Sequence, residues 1–186
     1  MQKNIYELIE RMAALIRSEE RKKCTELGIQ AVHFQVLDYL SRCNKYSDAP
    51  AAVALYLGMT RGTVSQSLII LEKKGMIKKM ADSADKRKVH VSLLPAGMEM
   101  LEKAKPTTLF ADAAVELEHS SPELINEEGF VMALTALQKA NKSQSFGMCA
   151  TCKNFTRTEQ GFYCQLTKEA LTQSDSEKIC QEHQVP

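Results

Sequence analysis

No uncharged run in this sequence is long enough to cross a bilayer. The longest, Ala49 to Thr60, has 12 residues, whereas a spanning helix needs ~20. Glu7, Glu10 and Arg11 interrupt the amino terminus where a secretion signal would be apolar. Without an export signal the expected compartment is the cytoplasm, where thiols stay reduced. The six cysteines are therefore expected as free thiols or metal ligands, not as a disulfide framework. Net charge is also scarce: 24 basic residues against 23 acidic ones leave +1, which by itself points to no nucleic-acid partner. There is no internal repeat and no low-complexity tract. With 44% hydrophobic and 25% charged residues the chain is neither disordered nor fibrous. A nucleophile–base pair, a glycine loop that would cradle phosphate and a carboxylate dyad are likewise missing, so a non-enzyme is expected. What is present, over 186 residues, is room for one globular core with a small appendage.

The near-neutral total hides an uneven distribution. Residues 61–90 carry 8 basic and 3 acidic side chains, whereas residues 91–142 carry 4 and 8. A basic excess confined to one short window is the electrostatic footprint of a surface that meets phosphate, provided the elements carrying it can present it.

Periodicity supplies those elements. Ile5, Leu8, Ile9, Met12, Leu15 and Ile16 form one helical stripe, predicting a helix over about 3–24. Val32, Val36, Leu37 and Leu40 predict a second over about 31–43. Asp48, an acceptor for orphan amide protons, and Pro50, whose ring fits a first turn, announce a short third helix over about 50–57 that Gly58 closes. Thr60 then stands in N-cap position before a helix that Gly75 stops. Two helices joined by Gly58-Met59 make a helix-turn-helix. Val64, Leu68 and Leu71 form the inward stripe of its second helix, which leaves Arg61, Thr63, Ser65, Gln66 and Lys73 to face elsewhere. Met76, Ile77 and Met80, and then the alternating Val89, Val91 and Leu93, predict two strands around the charged turn Asp82–Lys88, a β-hairpin with a basic tip. The helical pattern resumes from Pro95 to about Ser120, split or kinked at Pro106, and again after Ser121-Pro122 with Val131, Leu134 and Leu137. A core of about 60–70 residues cannot bury the first stripe and these later ones, which predicts mutual burial in a homodimer. Asn141 to Gly147 is predicted as a polar linker.

These residues resemble the MarR family of bacterial winged-helix transcription regulators over about residues 5–140. The likeness rests on Thr63-Val64-Ser65 leading to Leu71-Glu72-Lys73-Lys74-Gly75-Met76-Ile77, and on Asp85-Lys86-Arg87 followed by Val89-His90-Val91-Ser92-Leu93 and Gly97. The resemblance implies that Asp85 orders the hairpin and that Arg87 enters the minor groove of DNA. The chain departs from the family after Leu93, where Leu94 and Pro95 replace the usual Thr that caps the next helix. A helix fits the major groove, so Thr60, Arg61, Thr63, Ser65 and Gln66 are the candidates at base edges and their flanks. Lys73, Lys74, Lys78, Lys86 and Lys88 suit phosphates, and Arg87 suits a narrow, electronegative minor groove. A dimer would read an inverted repeat with half-sites ~34 Å apart.

The last stretch differs chemically. Cys149-x2-Cys152, Cys164 and Cys180 hold four of the six cysteines, with His183 three residues beyond Cys180. A module this small and polar usually needs a metal or a disulfide, and thiolates in a reducing compartment favour zinc on the four cysteines, with His183 as the substitute ligand. An iron–sulfur cluster is the alternative, and redox-active thiols the third reading. Cys24 and Cys43 are expected as small buried thiols, and His33, His90 and His119 as ordinary core or surface residues.

The expected fold is thus mainly α: a winged helix-turn-helix with a three-helix core and a β-hairpin wing, flanked by long dimerisation helices and followed by a small metal-binding module. The expected units are an amino-terminal dimerisation helix (1–30), the DNA-binding winged helix (31–95), further dimerisation helices (96–142) and the cysteine-rich tail (146–186). The expected function is that of a sequence-specific transcriptional regulator, a repressor before an activator, with duplex DNA as partner and a small-molecule, metal or redox effector. A winged-helix protein-interaction module is the alternative, and a thiol oxidoreductase the more distant one.

Overall fold

The computed structural model describes residues 5–83, 85–120, 127–141, 146–158 and 161–185. The element order begins α1 (Ile5–Glu26), α2 (Ala31–Arg42), α3 (Pro50–Leu57), α4 (Arg61–Lys73), β1 (Ile77–Ala81), β2 (Val89–Leu93) and α5 (Pro95–Ala104). It continues with α6 (Thr107–Ser120), α7 (Glu127–Ala140) and a tail of short elements. Among the described residues no helix is long and apolar enough to cross a membrane.

The core forms where the apolar stripes of α2, α4 and α5 meet. Val36, Leu37 and Tyr39 of α2, Val64, Leu68 and Leu71 of α4, Ile77 and Val91 of the hairpin and Leu101 of α5 are all buried in one cluster. Gly58 and Gly75 adopt the left-handed conformation (φ 64° and 67°) that ends α3 and α4 and turns the chain. β1 and β2 pair antiparallel from Ile77↔Leu93 to Ala81↔Val89, as the alternation predicts. α5 then lies so close to the hairpin base that a Cβ on Gly97 would stand 2.2 Å from the Met76 carbonyl oxygen. Its first turn is capped by no side chain: Leu94 is the N-cap and Pro95 the first helical residue, so the departure from the family pattern is accommodated by proline geometry. Lys105 is extended (φ −60°, ψ 137°), the conformation that a following proline imposes, and Pro106 separates α5 from α6.

Two expectations need correction, and the tail gains elements that the sequence did not mark. Asp48 does not cap α3; the N-cap is Ala49, without a side-chain bond, and the Asp48 carboxylate is engaged by His90. The span Asn141 to Gly147 is not simply a polar linker. Residues 142–145 lie outside the described ones, but the Phe146 ring packs edge-on against Tyr56 (centroids 5.3 Å apart) and Tyr39 (6.4 Å) in the winged-helix core. The tail, in which the sequence pattern marks no element, has defined secondary structure: β4 (Phe155–Thr158), β5 (Gly161–Cys164) and β6 (Glu169–Leu171) form an antiparallel sheet. A pair of two-residue strands, β3 (Gly147–Met148) and β7 (Ile179–Cys180), closes it beside a one-turn helix α8 (Gln173–Ser176), and Phe155 stacks on Phe162. The Ser121-Pro122 helix start lies outside the described residues, where α7 begins at Glu127.

The terminal helices keep their apolar stripes in the open. Ile5, Leu8 and Leu15 of α1, Phe110 and Val115 of α6, and Phe130, Val131 and Leu134 of α7 are each 47–54% exposed.

Candidate nucleic-acid interface and thiol chamber

Helix α4 presents its polar face because its apolar residues are consumed by the core. Val64, Ser67, Leu68 and Leu71 are buried, so Arg61, Thr63, Ser65, Gln66 and Lys73 stand in solvent on the opposite side. Thr60 is exposed and committed to the helix end, where its hydroxyl oxygen accepts from the Thr63 amide at 3.1 Å and lies 2.9 Å from the Thr63 hydroxyl.

The hairpin tip is ordered by carboxylates. Asp82 accepts from the Asp85 amide at 2.7 Å, and Asp85 in turn accepts from the Arg87 amide and from its Nε, each at 3.1 Å. The Arg87 guanidinium holds the Asp85 carboxyl below the usual carboxylate range. Its side chain is nonetheless 91% exposed, flanked by exposed Lys86 and Lys88. The pairing therefore aims the cation without burying it.

The residues that fix the hairpin to the domain escaped the sequence reading. His90 Nδ1 lies 2.7 Å from Asp48 Oδ1 and its Nε2 lies 3.0 Å from Asp82 Oδ2. The Asp48 carbonyl also accepts from the Val91 amide at 3.1 Å. Hydrogen bonds to Asp48 and then Asp82 raise the His90 pKa above its ordinary value. No spacing rule finds this triad, because Asp48 and His90 are 42 residues apart. An open groove of about 1030 Å³ runs between the start of α4 (Arg61, Ser65), the wing (Arg87, Lys88, His90) and the tail (Glu169, Gln181).

The tail brings Cys149, Cys152, Cys164 and Cys180 around one cavity of about 20 Å³, room for roughly one water-sized sphere, walled by Phe155, Leu166 and Leu171. All six cysteines are free thiols. Burial, and then the neighbouring Cys180, Cys164 and Cys152, push the Cys149 thiol up to about 12. The sulfurs also receive donors suited to thiolates: the Gln184 amide reaches Cys152 Sγ at 3.4 Å, and the Asn44 side chain and Glu182 amide reach Cys180. Among the described residues no group of three or more His, Cys, Asp or Glu is arranged to hold a metal ion as it stands. His183 does not line the cavity; its Nε2 lies 3.0 Å from the Thr151 hydroxyl. The donor chemistry thus fits a thiophilic metal, while a single ion with ~2.3 Å bonds to zinc would require the sulfurs to close inward. Cys24 and Cys43 are buried elsewhere, in the winged-helix core.

A family model described as "MarR family" matches residues 27–88, the span from the turn after α1 to the wing tip. No curated protein matches the chain. Among solved structures, CouR from Rhodococcus jostii RHA1 bound to p-coumaroyl-CoA is similar, with a TM-score of 0.54 at 18% identity over 75% of this chain and 95% of that one. BldR from Sulfolobus solfataricus has a TM-score of 0.54 at 22% identity over 75% of this chain and 99% of that one. A mutant of MepR from a multidrug-resistant clinical isolate of Staphylococcus aureus has 0.53 at 22% over 76% and 98%. These likenesses establish the fold, a winged helix of the MarR kind, and each leaves about a quarter of this chain without a counterpart.

Proposed function

We propose that this chain is a sequence-specific DNA-binding transcription regulator, a repressor that acts as a homodimer on an inverted repeat. One observation carries the reading: the exposed polar start of α4 and the exposed, carboxylate-aimed Arg87 border the same groove, inside the span that matches the MarR family. In this reading Arg61, Thr63, Ser65 and Gln66 meet base edges, with Thr60 fixing the helix end against the backbone. Lys73, Lys86 and Lys88 neutralise phosphates, and Arg87, aimed by Asp85, enters the minor groove. The uncovered stripes of α1, α6 and α7 are the dimer surface, since apolar faces of this size in a small chain are covered by a second copy. Nothing in this mechanism calls for catalysis. The effector is a small molecule, a metal or a redox change, the last two acting through the tail.

The four tail cysteines are metal ligands in this account. Zinc would draw Cys149, Cys152, Cys164 and Cys180 into a tetrahedron and tie the short strands of the tail together. A second reading is an iron–sulfur cluster on the same four thiolates, which their irregular spacing suits and for which the small cavity between them would have to widen. Selection from a random oligonucleotide pool, followed by titration of the selected duplex at several salt concentrations, tests the DNA reading: log K should fall steeply with log salt, by ~0.9 per phosphate contacted. Elemental analysis and an absorption spectrum of protein purified without air separate the two metals.

A further inference from the structure

The hydrogen bonds that leave the thiol chamber do not end in the tail. Asn44, 3% exposed, lines the chamber beside Cys180, where its side chain offsets part of the push that burial gives the Cys180 thiol. Its Oδ1 accepts from the Ser47 hydroxyl at 2.8 Å and from the Tyr46 amide at 3.1 Å. Its own amide donates to the Ile179 carbonyl at 2.9 Å. The tail grips the same loop at two further points. The Gln181 amide donates to Ser47 Oγ at 2.8 Å and its side chain to the Tyr46 carbonyl at 2.7 Å, while Lys45 and Tyr46 both reach Glu169. The next residue is Asp48, which holds His90 and Val91 of the wing, and His90 holds Asp82, on which Asp85 and then Arg87 are built. A continuous set of bonds thus connects the strand that carries Cys180 to the wing-tip arginine.

We propose that occupancy of the four-thiol chamber sets the order of the wing through residues 44–48, and that the metal-loaded form is the tighter DNA binder. The proposal rests on the reading of the tail cysteines as metal ligands and of the wing as a DNA contact. The tail buries little of its own: Cys149, Leu171 and Ser176 are its buried residues among those described. Its order, and with it the grip on the loop, therefore depends on what the sulfurs hold. An empty chamber loosens the bonds that Ile179 and Gln181 make to the loop, so that Asn44 keeps only its partners within the loop, Asp48 is held less firmly, and the hairpin tip loosens. A loosened tip must be ordered when DNA binds, at the expense of affinity. The bistable element is the wing, and the loop is the physical link by which the tail biases it. Asn44 is a positioning residue here: it reaches neither DNA nor metal in this scheme.

The test uses the full chain and a duplex selected from a random pool. Reduced apoprotein, prepared with a chelator, is compared with protein loaded with one equivalent of Zn2+ and, separately, reconstituted without air with ferrous iron and sulfide. In whichever form the chamber fills stoichiometrically, the Kd for the duplex should fall by about tenfold, within the ordinary range of coupling between sites. Amide exchange at Asp85 and Val91 should slow at the same time. By reciprocity the duplex should tighten Zn2+ binding by the same factor. Asn44→Ala, and Asp48→Ala on the far side of the link, should retain full metal uptake while the ratio of apo to loaded Kd collapses toward one. Asp48→Ala keeps the test decisive if Asn44→Ala fails to fold. Stoichiometric uptake that Cys149→Ser abolishes, with equal DNA affinity and equal wing exchange in both forms, would overturn the coupling and leave the metal reading standing. No uptake of either metal would remove the metal reading, and the proposal with it.

Discussion

Replacing Arg87 with alanine separates the wing's role in recognition from its role in folding. The side chain is 91% exposed and its ion pair with Asp85 lies at the surface, so its loss should leave the denaturant midpoint where it was. The wing keeps its Asp82–Asp85 and Asp48–His90 bonds, and the Asp85 carboxylate still accepts the amide of residue 87. The effect should appear on DNA. A single directed arginine is worth roughly 5- to 150-fold in Kd. The slope of log K against log salt should also become shallower by about 0.9, the value of one released counterion. Between about 50 and about 200 mM salt, that slope change means the variant loses about 3.5-fold less affinity than the parent. Fluorescence anisotropy with the selected duplex at four salt concentrations measures both quantities, with a urea melt as the control. An unchanged Kd and an unchanged slope in a stably folded variant would refute the wing assignment.

Other consequences concern fold, charge, metal and assembly. Gly97→Ala places a methyl 2.2 Å from the Met76 carbonyl oxygen, so α5 must back away from the hairpin; a denaturant melt should show a loss of roughly 1–3 kcal/mol. His90 has a raised pKa in the folded chain, so the stabilisation from its charged form is complete below the unfolded value of ~6.5 and disappears as pH rises through the folded value. The stability difference between parent and His90→Gln should therefore shrink with rising pH, and a difference equal at both ends of a titration from acid to alkaline pH would contradict the pairing. Cys149→Ser should abolish metal uptake and make the tail sensitive to limited proteolysis; unaltered stoichiometry by elemental analysis would exclude this ligand. If the exposed stripes form the proposed dimer, Leu134→Glu, at a residue 54% exposed on α7, should sediment as a monomer where the parent sediments as a dimer, without unfolding the winged helix.

The parts of this molecule that were legible in its sequence are those governed by neighbours in the chain. Pro50, Gly58, Thr60 and Gly75 punctuate α3 and α4 by local backbone rules, and the alternation of Val89, Val91 and Leu93 gives β2 its face. The exposed candidates on α4 follow from the same periodicity. The wing's support does not: Asp48 reads locally as a helix cap and becomes instead the partner of a histidine brought to it by the hairpin. The cysteine spacing predicts a shared site, and the four cysteines do line one cavity, but the sheet around them is hidden in the sequence, because strands of three or four residues carry too few alternations to rise above loop composition. Phe146 looked like part of a linker since one aromatic residue in a polar run has no period, and only packing against Tyr39 and Tyr56 gives it a role. Asn44 is similar: nothing in the polar residues around it marks it out, and its place comes from a carbonyl at position 179.

The most direct measurement of the central claim is hydroxyl-radical footprinting of the selected duplex, with the mass of the complex determined in the same buffer. Two protein chains should protect an inverted repeat whose half-sites are centred one helical turn, ~34 Å, apart, with added protection in the flanking minor grooves where Arg87 enters. A single chain bound without preferred sequence, or protection unchanged by Arg87→Ala, would contradict it.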